Sequence, residues 1–156
     1  MKKIITKKRT ILVVEDEKAL LSVVNSKLLK DGFNVITARS VDQVFSAGLS
    51  EKGLDTITSL TINQALDYLE NLKNIDAIWL DHNLLGKESG LDLVVRLRAN
   101  GKQLKKIPIF VVSNSENPET IQSYLDLGKT KYYVKSNHRL DEIINDIHSF
   151  LADSKK

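Results

Sequence analysis

The chain has 156 residues, a length that fits one domain with a buried core of its own. Hydrophobic residues make up 42%, cysteine is absent and the formal net charge is only +3, which argues against a disulfide scaffold, a thiolate metal site and a nucleic-acid binder. No apolar run is long enough for a membrane span. We therefore expect one cytoplasmic globular domain over residues 1–156, with a basic N-terminal arm at 1–9 and a C-terminal tail at 153–156.

The first elements alternate between a short apolar run and an amphipathic segment. Residues 10–14 predict a buried strand, and a helix is predicted at about 17–30. The apolar residues of this helix recur at helical spacing: Leu20, Leu21, Val24 and Leu28. Gly32 suits the C-terminal cap of the helix, and residues 33–37 predict the second strand.

The connection between strands two and three is unusually long. From Ala38 to Asn74 the chain far exceeds the roughly dozen residues that a parallel crossover needs. Residues 61–72 predict one helix with an apolar side. Residues 40–60 are therefore an insertion, whose short apolar runs do not distinguish helix from strand.

The rest of the chain again alternates strand and helix. Strands are predicted at 75–80, 107–112 and 131–135, and helices at 89–99, 117–128 and 139–152. Residues predicted to face inward in the first two helices are Leu91, Val94, Val95, Leu97, Ile121, Tyr124 and Leu125. The alternation predicts an α/β fold, a doubly wound sheet of five parallel strands with helices on both faces.

Four of the predicted strands end on polar residues. The first ends at Glu15 and Asp16, the third at Asp81, the fourth at Ser113 and the fifth at Lys135. Such residues are individually common at strand ends, where they form turns and caps. Because the carboxyl ends of parallel strands share one edge of the sheet, the ordered set predicts a single site there.

The residue types at this edge suit phosphoryl transfer. Neighbouring carboxylates repel one another, and Mg²⁺, which prefers oxygen ligands, relieves that repulsion. A carboxylate nucleophile forms an acyl phosphate, while Lys135 and Ser113 would contact the phosphate oxygens. The ordered set therefore predicts a magnesium-dependent phosphoryl-transfer site.

The same residues carry a resemblance to a known family. The chain resembles the receiver domain of two-component response regulators, the CheY-like superfamily, over residues 10–152 apart from the insertion. The matching segments are 11–17 (Ile-Leu-Val-Val-Glu-Asp-Glu), 79–85 with Gly90 beyond, 109–113 and 132–135. The resemblance implies the flavodoxin-like strand order 2-1-3-4-5, with the insertion between strand 2 and strand 3.

The resemblance also assigns roles to the site residues. Asp81 would accept a phosphoryl group from a phosphohistidine on a sensor histidine kinase or a histidine phosphotransfer protein. Asp16, Asp81 and the backbone carbonyl of Asn83 would bind Mg²⁺, and Glu15 would act through water. The chain would then be a switch that catalyses only its own phosphorylation and dephosphorylation, not an enzyme acting on other substrates.

A further implication concerns the output of the switch. Ser113 would turn toward the phosphate while Tyr132 packs inward, so that these two residues form a switch pair. A downstream protein would bind the face formed by helix four, strand five and helix five, at about 117–128, 131–135 and 139–152. With no output domain after Leu151, we expect a stand-alone regulator that binds neither nucleic acid nor membrane.

Three departures from the family pattern favour an alternative. Leu85 stands where proline is frequent, Asn114 where small residues are frequent, and Ser136 where proline commonly follows the lysine. A trans bond between Lys135 and Ser136 is expected, since cis without proline is costly. These departures leave open a pseudo-receiver, in which the fold serves protein interaction without phosphorylation.

A haloacid-dehalogenase-like phosphatase is a further alternative. That family also uses an aspartate nucleophile after an apolar strand, but it needs a second aspartate where this chain has Asn83. Its late acids would have to be Asp141 and Asp146, which lie on a helical pattern. His82 could assist proton movement beside Asp81, although it points to the opposite side if the strand continues.

Overall fold

The computed structural model describes residues 8–39, 75–84, 86–100 and 104–153. Within these ranges the sheet has five parallel strands: β1 (Thr10–Val14), β2 (Asn34–Ala38), β3 (Ile75–Leu80), β4 (Ile109–Ser113) and β5 (Thr130–Val134). The described helices are α1 (Lys18–Lys30), α2 (Gly90–Asn100), α3 (Pro118–Asp126) and α4 (Leu140–Asp153), with a 3-10 turn at Leu104–Lys106. Predicted helices four and five are therefore α3 and α4.

The strands lie in the order β2-β1-β3-β4-β5, which confirms the predicted fold class and strand order. β1 pairs on one side with β2 and on the other with β3, so that Val14 neighbours both Ala38 and Leu80. All the pairings are parallel, and the carboxyl ends of the strands therefore line one edge. This edge carries the residues that the sequence singled out.

Both faces of the sheet are covered, which explains the continuous apolar runs in the strands. Alternate strand residues join two cores, because successive side chains point to opposite faces. One core, under α2 and α3, includes Leu12, Val14, Ile78, Leu80, Leu93, Val94, Leu97, Ile109, Val111 and Tyr124. The other, under α1 and α4, includes Ile11, Val13, Val24, Leu28, Trp79, Phe110, Val112, Ile143, Ile144, Ile147 and Leu151.

Two residues predicted to face inward are exposed, so those predictions were wrong. Val95 in α2 is 48% exposed, because Leu93 and its neighbour Val94 define the buried face and the next residue turns away. Leu125 in α3 is 44% exposed, because its neighbour Tyr124 faces the core at this point of the helix and the next residue turns away. The helix bounds themselves agree with the predicted ones to within about two residues.

Two helices near the site start with well-formed caps. The Asn117 side chain accepts hydrogen bonds from the backbone N–H of Glu119 and Thr120 at 2.9 and 3.3 Å, with Pro118 at the first helical position. At the start of α2, the Ser89 backbone N–H donates to the Asp92 carboxylate at 2.8 Å, and the Ser89 hydroxyl accepts from the Asp92 N–H. These caps fix where the two helices leave the edge of the sheet.

Some predictions lie outside the described residues. They are most of the arm at 1–9, the insertion at 40–60, the helix at 61–72, Leu85 and the end of the tail at 154–156. Among the helices that the structure describes, none is long and apolar enough to cross a membrane.

Candidate functional site

Three carboxylates meet at the carboxyl edge of the two adjacent strands β1 and β3. Glu15 and Asp16 follow β1, Asp81 follows β3, and each offers an oxygen within 4.8 Å of the others. Glu15 is fully buried and Asp81 is 4% exposed, whereas Asp16 is half-buried. A cluster with only oxygen donors fits a hard divalent cation such as Mg²⁺ rather than a metal that prefers nitrogen or sulfur.

Lys135 reaches this cluster from β5, across the end of β4. Its Nζ lies 3.1 Å from Asp81 Oδ2 and 3.3 and 3.4 Å from the two carboxylate oxygens of Glu15. Burial by itself would lower the pKa of the Lys135 ammonium, but the attraction of Asp81 and Glu15 outweighs it, so that the pKa is raised. The site therefore combines a carboxylate cluster with a fixed positive charge.

Glu15 has a strongly shifted pKa. Burial and the nearby negative charge of Asp81 raise the pKa of its carboxyl group from 4.5 to about 8, although Lys135 opposes the shift. Near neutral pH the ion-free pocket therefore favours a proton on Glu15. A bound cation would favour the ionised carboxylate instead.

Both carboxylate oxygens of Asp81 have protein partners. Oδ2 accepts from Lys135, and Oδ1 accepts a hydrogen bond of 3.3 Å from the backbone N–H of Asn83. The Asn83 residue is exposed, so its place in the site is set by its backbone. The predicted role of its carbonyl as a metal ligand stays a prediction.

A sequence model of the family described as "Cyclic-phosphate processing Receiver domain" matches residues 10–127. The chain belongs to the receiver-domain family. Curated relatives include the cell cycle response regulator CtrA of Brucella ovis and of Brucella abortus, each 29% identical over 145 residues, or 93% of this chain. The match covers 51% of those relatives, so the chain spans about half of their length.

Solved structures agree with this assignment at the level of the fold. The Francisella response regulator 1452 receiver domain has a TM-score of 0.68 at 21% identity, covering 96% of this chain and 100% of that one. Vibrio cholerae CheY4 has a TM-score of 0.66 at 20% identity, covering 92% and 98%. The phosphorylated cyanobacterial phytochrome response regulator RcpA has a TM-score of 0.64 at 23% identity, covering 92% and 91%. The match of the family model confirms the predicted family, and together with the response-regulator relatives it supports a phosphorylation-controlled switch of a two-component system.

The loop that presents Asp16 in this receiver domain is held by an arginine that the sequence reading missed. Arg39, directly after β2, donates from Nε and Nη2 to the Asp16 backbone carbonyl at 3.1 and 2.8 Å. The two bonds fix the β1–α1 loop and thereby the position of the Asp16 carboxylate. A single arginine after a strand carries no signal in the sequence that would have identified this contact.

The predicted switch pair of the receiver domain is joined through Ser115. The fully buried Ser113 hydroxyl accepts a hydrogen bond of 3.3 Å from the Ser115 N–H. The half-buried Tyr132 donates its hydroxyl to the Ser115 carbonyl at 2.8 Å. Ser113 and Tyr132 thus contact the two backbone groups of one loop residue, Ser115, which no sequence motif marks.

Asn114 and Ser136 are the described residues at which this chain departs from the family pattern. Asn114 and Ser136 are exposed, and no described peptide bond is cis, so the bond between Lys135 and Ser136 is trans as expected. Lys135 nevertheless contacts Asp81. His82 turns to a different partner, with its Nδ1 2.8 Å from the Tyr124 hydroxyl.

Proposed function

We propose that this receiver domain accepts a phosphoryl group on Asp81 from a phosphohistidine of a sensor histidine kinase or a histidine phosphotransfer protein. The observation that carries the proposal is the contact of 3.1 Å between the Asp81 carboxylate and the Lys135 ammonium, within the cluster that also includes Glu15 and Asp16. Such a pocket holds a nucleophile, a cation site and a fixed positive charge together. We place the protein in the cytoplasm and expect neither a nucleic acid nor a membrane as its partner.

The proposed phosphoryl transfer is a single displacement at phosphorus. An oxygen of Asp81 forms a bond to phosphorus, the bond from phosphorus to the donor imidazole nitrogen breaks, and that nitrogen keeps the electron pair. Lys135 is placed to bind one phosphoryl oxygen as a compact positive charge, and Ser113 donates its hydroxyl to another. Asp16, Asp81 and the Asn83 backbone carbonyl would hold Mg²⁺, with Glu15 acting through water, and the ion would supply positive charge that offsets the incoming phosphate.

The output of the switch depends on the movement of the Ser113 hydroxyl toward the phosphoryl group. When the Ser113 hydroxyl turns to the phosphate, its hydrogen bond with the Ser115 N–H is given up, and Tyr132 is tied to the carbonyl of the same residue. The rearrangement changes the α3–β5–α4 face, to which a downstream protein binds. A change from mostly off to mostly on requires about 5 kcal/mol of differential interaction, so several contacts must contribute.

Phosphorylation with a small donor tests the proposal directly. Incubation with acetyl phosphate and Mg²⁺ should add one phosphoryl mass to the wild type, in a bond that hydroxylamine cleaves. Asp81→Asn should show no such adduct, whereas the exposed Asp126→Asn should behave like the wild type. Equal labelling of wild type and Asp81→Asn would refute the assignment.

The pseudo-receiver alternative differs in how it treats the cation. An intact acidic pocket should bind Mg²⁺ at millimolar concentrations, and Trp79, the single tryptophan of the chain, lies two residues before Asp81 and is the fluorescence probe for that binding. The contact of Lys135 with Asp81 favours a receiver domain that can be phosphorylated over a pseudo-receiver. Absence of both Mg²⁺ binding and phosphorylation would favour the pseudo-receiver.

The phosphatase alternative finds little support in the positions of the late acids. Asp141 pairs with Lys27 at 2.8 Å, and Asp146 accepts a hydrogen bond of 2.8 Å from Tyr133. Both acids lie on α4, and their partners are not site residues. Turnover of a generic phosphate ester, lost in Asp81→Asn, would revive this alternative.

A second candidate function is the processing of a cyclic phosphate, which the description of the matching family model favours. The same cation cluster and Lys135 suit the binding of a phosphate diester. The test is incubation with Mg²⁺ and a cyclic nucleoside phosphate, followed by phosphorus NMR. Ring opening by the wild type that is lost in Asp81→Asn would support this function, and an unchanged spectrum would exclude it for that probe.

A further inference from the structure

Directly after the proposed phosphoacceptor, the chain makes a contact that the proposed chemistry does not use. His82 Nδ1 and the Tyr124 hydroxyl share a hydrogen bond of 2.8 Å, and their rings meet edge to face with centroids 5.7 Å apart. Tyr124 is fully buried in α3, where it is among the largest side chains of the core. The residue after Asp81 is thus tied to the last turn of a helix on the proposed output face.

Close packing leaves the Tyr124 hydroxyl little freedom. A Cβ atom on Gly90, the first residue of α2, would lie 2.8 Å from that hydroxyl and 2.4 Å from the Asp81 backbone oxygen. The Gly90 N–H also donates to the His82 carbonyl at 2.9 Å. The end of β3, the start of α2 and the last turn of α3 therefore meet around one hydroxyl group.

On its other side Tyr124 contacts the proposed switch residue. Its ring lies 5.7 Å from that of Tyr132, centroid to centroid, at an angle of 50°. A path of contacts thus runs from the residue after Asp81 through Tyr124 to Tyr132, separate from the path through Ser113 and Ser115.

We propose that Tyr124, held by His82, is a positioning residue through which occupation of Asp81 changes helix α3. The inference rests on the proposed function of Asp81 and adds to it the residues that connect the pocket to the output face. Among the described residues His82 is the hydrogen-bond partner of this buried hydroxyl, which resists separation from it because an unpaired buried hydroxyl is unfavourable. A shift of His82 on phosphorylation of Asp81 is therefore passed to α3 through this hydrogen bond.

Coupling of this kind is reciprocal. If the pocket biases α3 through the His82–Tyr124 bond, then breaking the bond also changes how tightly the pocket holds a phosphoryl mimic. A purely structural tyrosine would lower stability without affecting the difference between the free and occupied states. The test must therefore measure how α3 differs between the free protein and the protein with an occupied pocket.

The experiment compares amide hydrogen exchange in α3 with and without Mg²⁺ and beryllofluoride, a phosphoryl mimic. Tyr124→Phe removes only the hydroxyl and keeps the buried ring. Tyr133→Phe is the matched control, because it removes a buried tyrosine hydroxyl that binds Asp146 in the other core. Trp79 fluorescence measures beryllofluoride binding in every variant.

We expect beryllofluoride to change the exchange rate of α3 by about tenfold in the wild type and in Tyr133→Phe, within the usual range of coupling between sites. In Tyr124→Phe the change should fall to less than about threefold, while beryllofluoride still binds with an affinity altered by a similar factor. His82→Phe keeps an aromatic ring without the nitrogen and should give the same loss. It provides the same test if Tyr124→Phe does not fold.

The outcomes separate this inference from the proposed function. An unchanged α3 response in both His82→Phe and Tyr124→Phe would overturn the inference while leaving phosphorylation of Asp81 intact. So would a wild type that binds beryllofluoride with no response in α3. A wild type that fails to bind beryllofluoride would overturn both the inference and the proposed function.

Discussion

Replacing Glu15 by glutamine should stabilise the ion-free protein at alkaline pH and leave its stability almost unchanged in mild acid. The pKa of the Glu15 carboxyl rises from 4.5 to about 8 on folding, because of burial and the neighbouring charge of Asp81. Between these values the folded state keeps a proton that the unfolded state has lost. Since stability falls with rising pH wherever the folded state binds more protons, the free energy of unfolding should decrease as the pH rises from about 4.5 to about 8.

The magnitude follows from the size of the shift. At about 1.4 kcal/mol per pKa unit, a shift of this size corresponds to at most about 5 kcal/mol lost by pH 8. Because Lys135 stays within 3.4 Å of the carboxylate and Asp16 leaves the pocket partly open to water, we expect a loss of about 2 kcal/mol. Glutamine has the same shape but no charge, so Glu15→Gln should lack this loss.

Urea denaturation in EDTA, followed by Trp79 fluorescence at pH 5, 6.5 and 8, measures the effect as the difference between wild type and variant at each pH. Addition of Mg²⁺ at pH 8 should restore the wild type more than the variant, because the cation removes the repulsion that glutamine already lacks. Glu116→Gln, a change at an exposed acid on the β4–α3 loop, is the control. Parallel pH profiles for wild type and Glu15→Gln would refute the reasoning.

Three further predictions test the surroundings of the site and the core. Arg39→Met, which frees the Asp16 loop, should weaken Mg²⁺ binding by a factor on the order of ten in isothermal titration calorimetry. Gly90→Ala should destabilise the protein by about 3 kcal/mol in urea denaturation, because its Cβ would lie 2.4 Å from a backbone oxygen. Ile147→Ala, in the buried face of α4, should cost about 3 kcal/mol, whereas Val95→Ala on the exposed side of α2 should change stability by no more than about 0.5 kcal/mol.

The strand ends of this fold were predictable because parallel strands buried on both faces have uninterrupted apolar sequences. Each run ends where the chain leaves the core, so a polar residue at that point marks the edge of the sheet. Asp81 and Lys135 are 54 positions apart in the chain, yet the sequence predicts their approach because each follows a parallel strand and the carboxyl ends of such strands share one edge of the sheet. The same reasoning placed Glu15 and Asp16 beside Asp81.

Contacts between side chains of different elements were beyond that reasoning. Arg39 binding the Asp16 carbonyl and Tyr124 binding His82 depend on how far a side chain reaches and which way it turns. Periodicity identifies the buried face of a helix but not the group that a buried hydroxyl will meet. For the same reason Leu125, next to Tyr124, was assigned to the core although only one of the two fits there.

The charge balance of the pocket explains why a switch at this site must recruit further hydrogen-bond donors. When all three carboxylates are ionised, the state that a bound cation favours, they face one ammonium group, and the divalent cation would offset their excess of two negative charges. Under the proposed function, phosphorylation would replace the single charge of Asp81 by about two, so that the occupied pocket would again carry excess negative charge even with the cation bound. The Ser113 hydroxyl, already at this edge of the sheet, is a donor that can turn toward that charge, and its turning breaks the contact with Ser115. The added negative charge of the phosphoryl group would thus favour the rearrangement, and the cation, which offsets most of the charge in the pocket, would make the binding of cation and phosphoryl group cooperative.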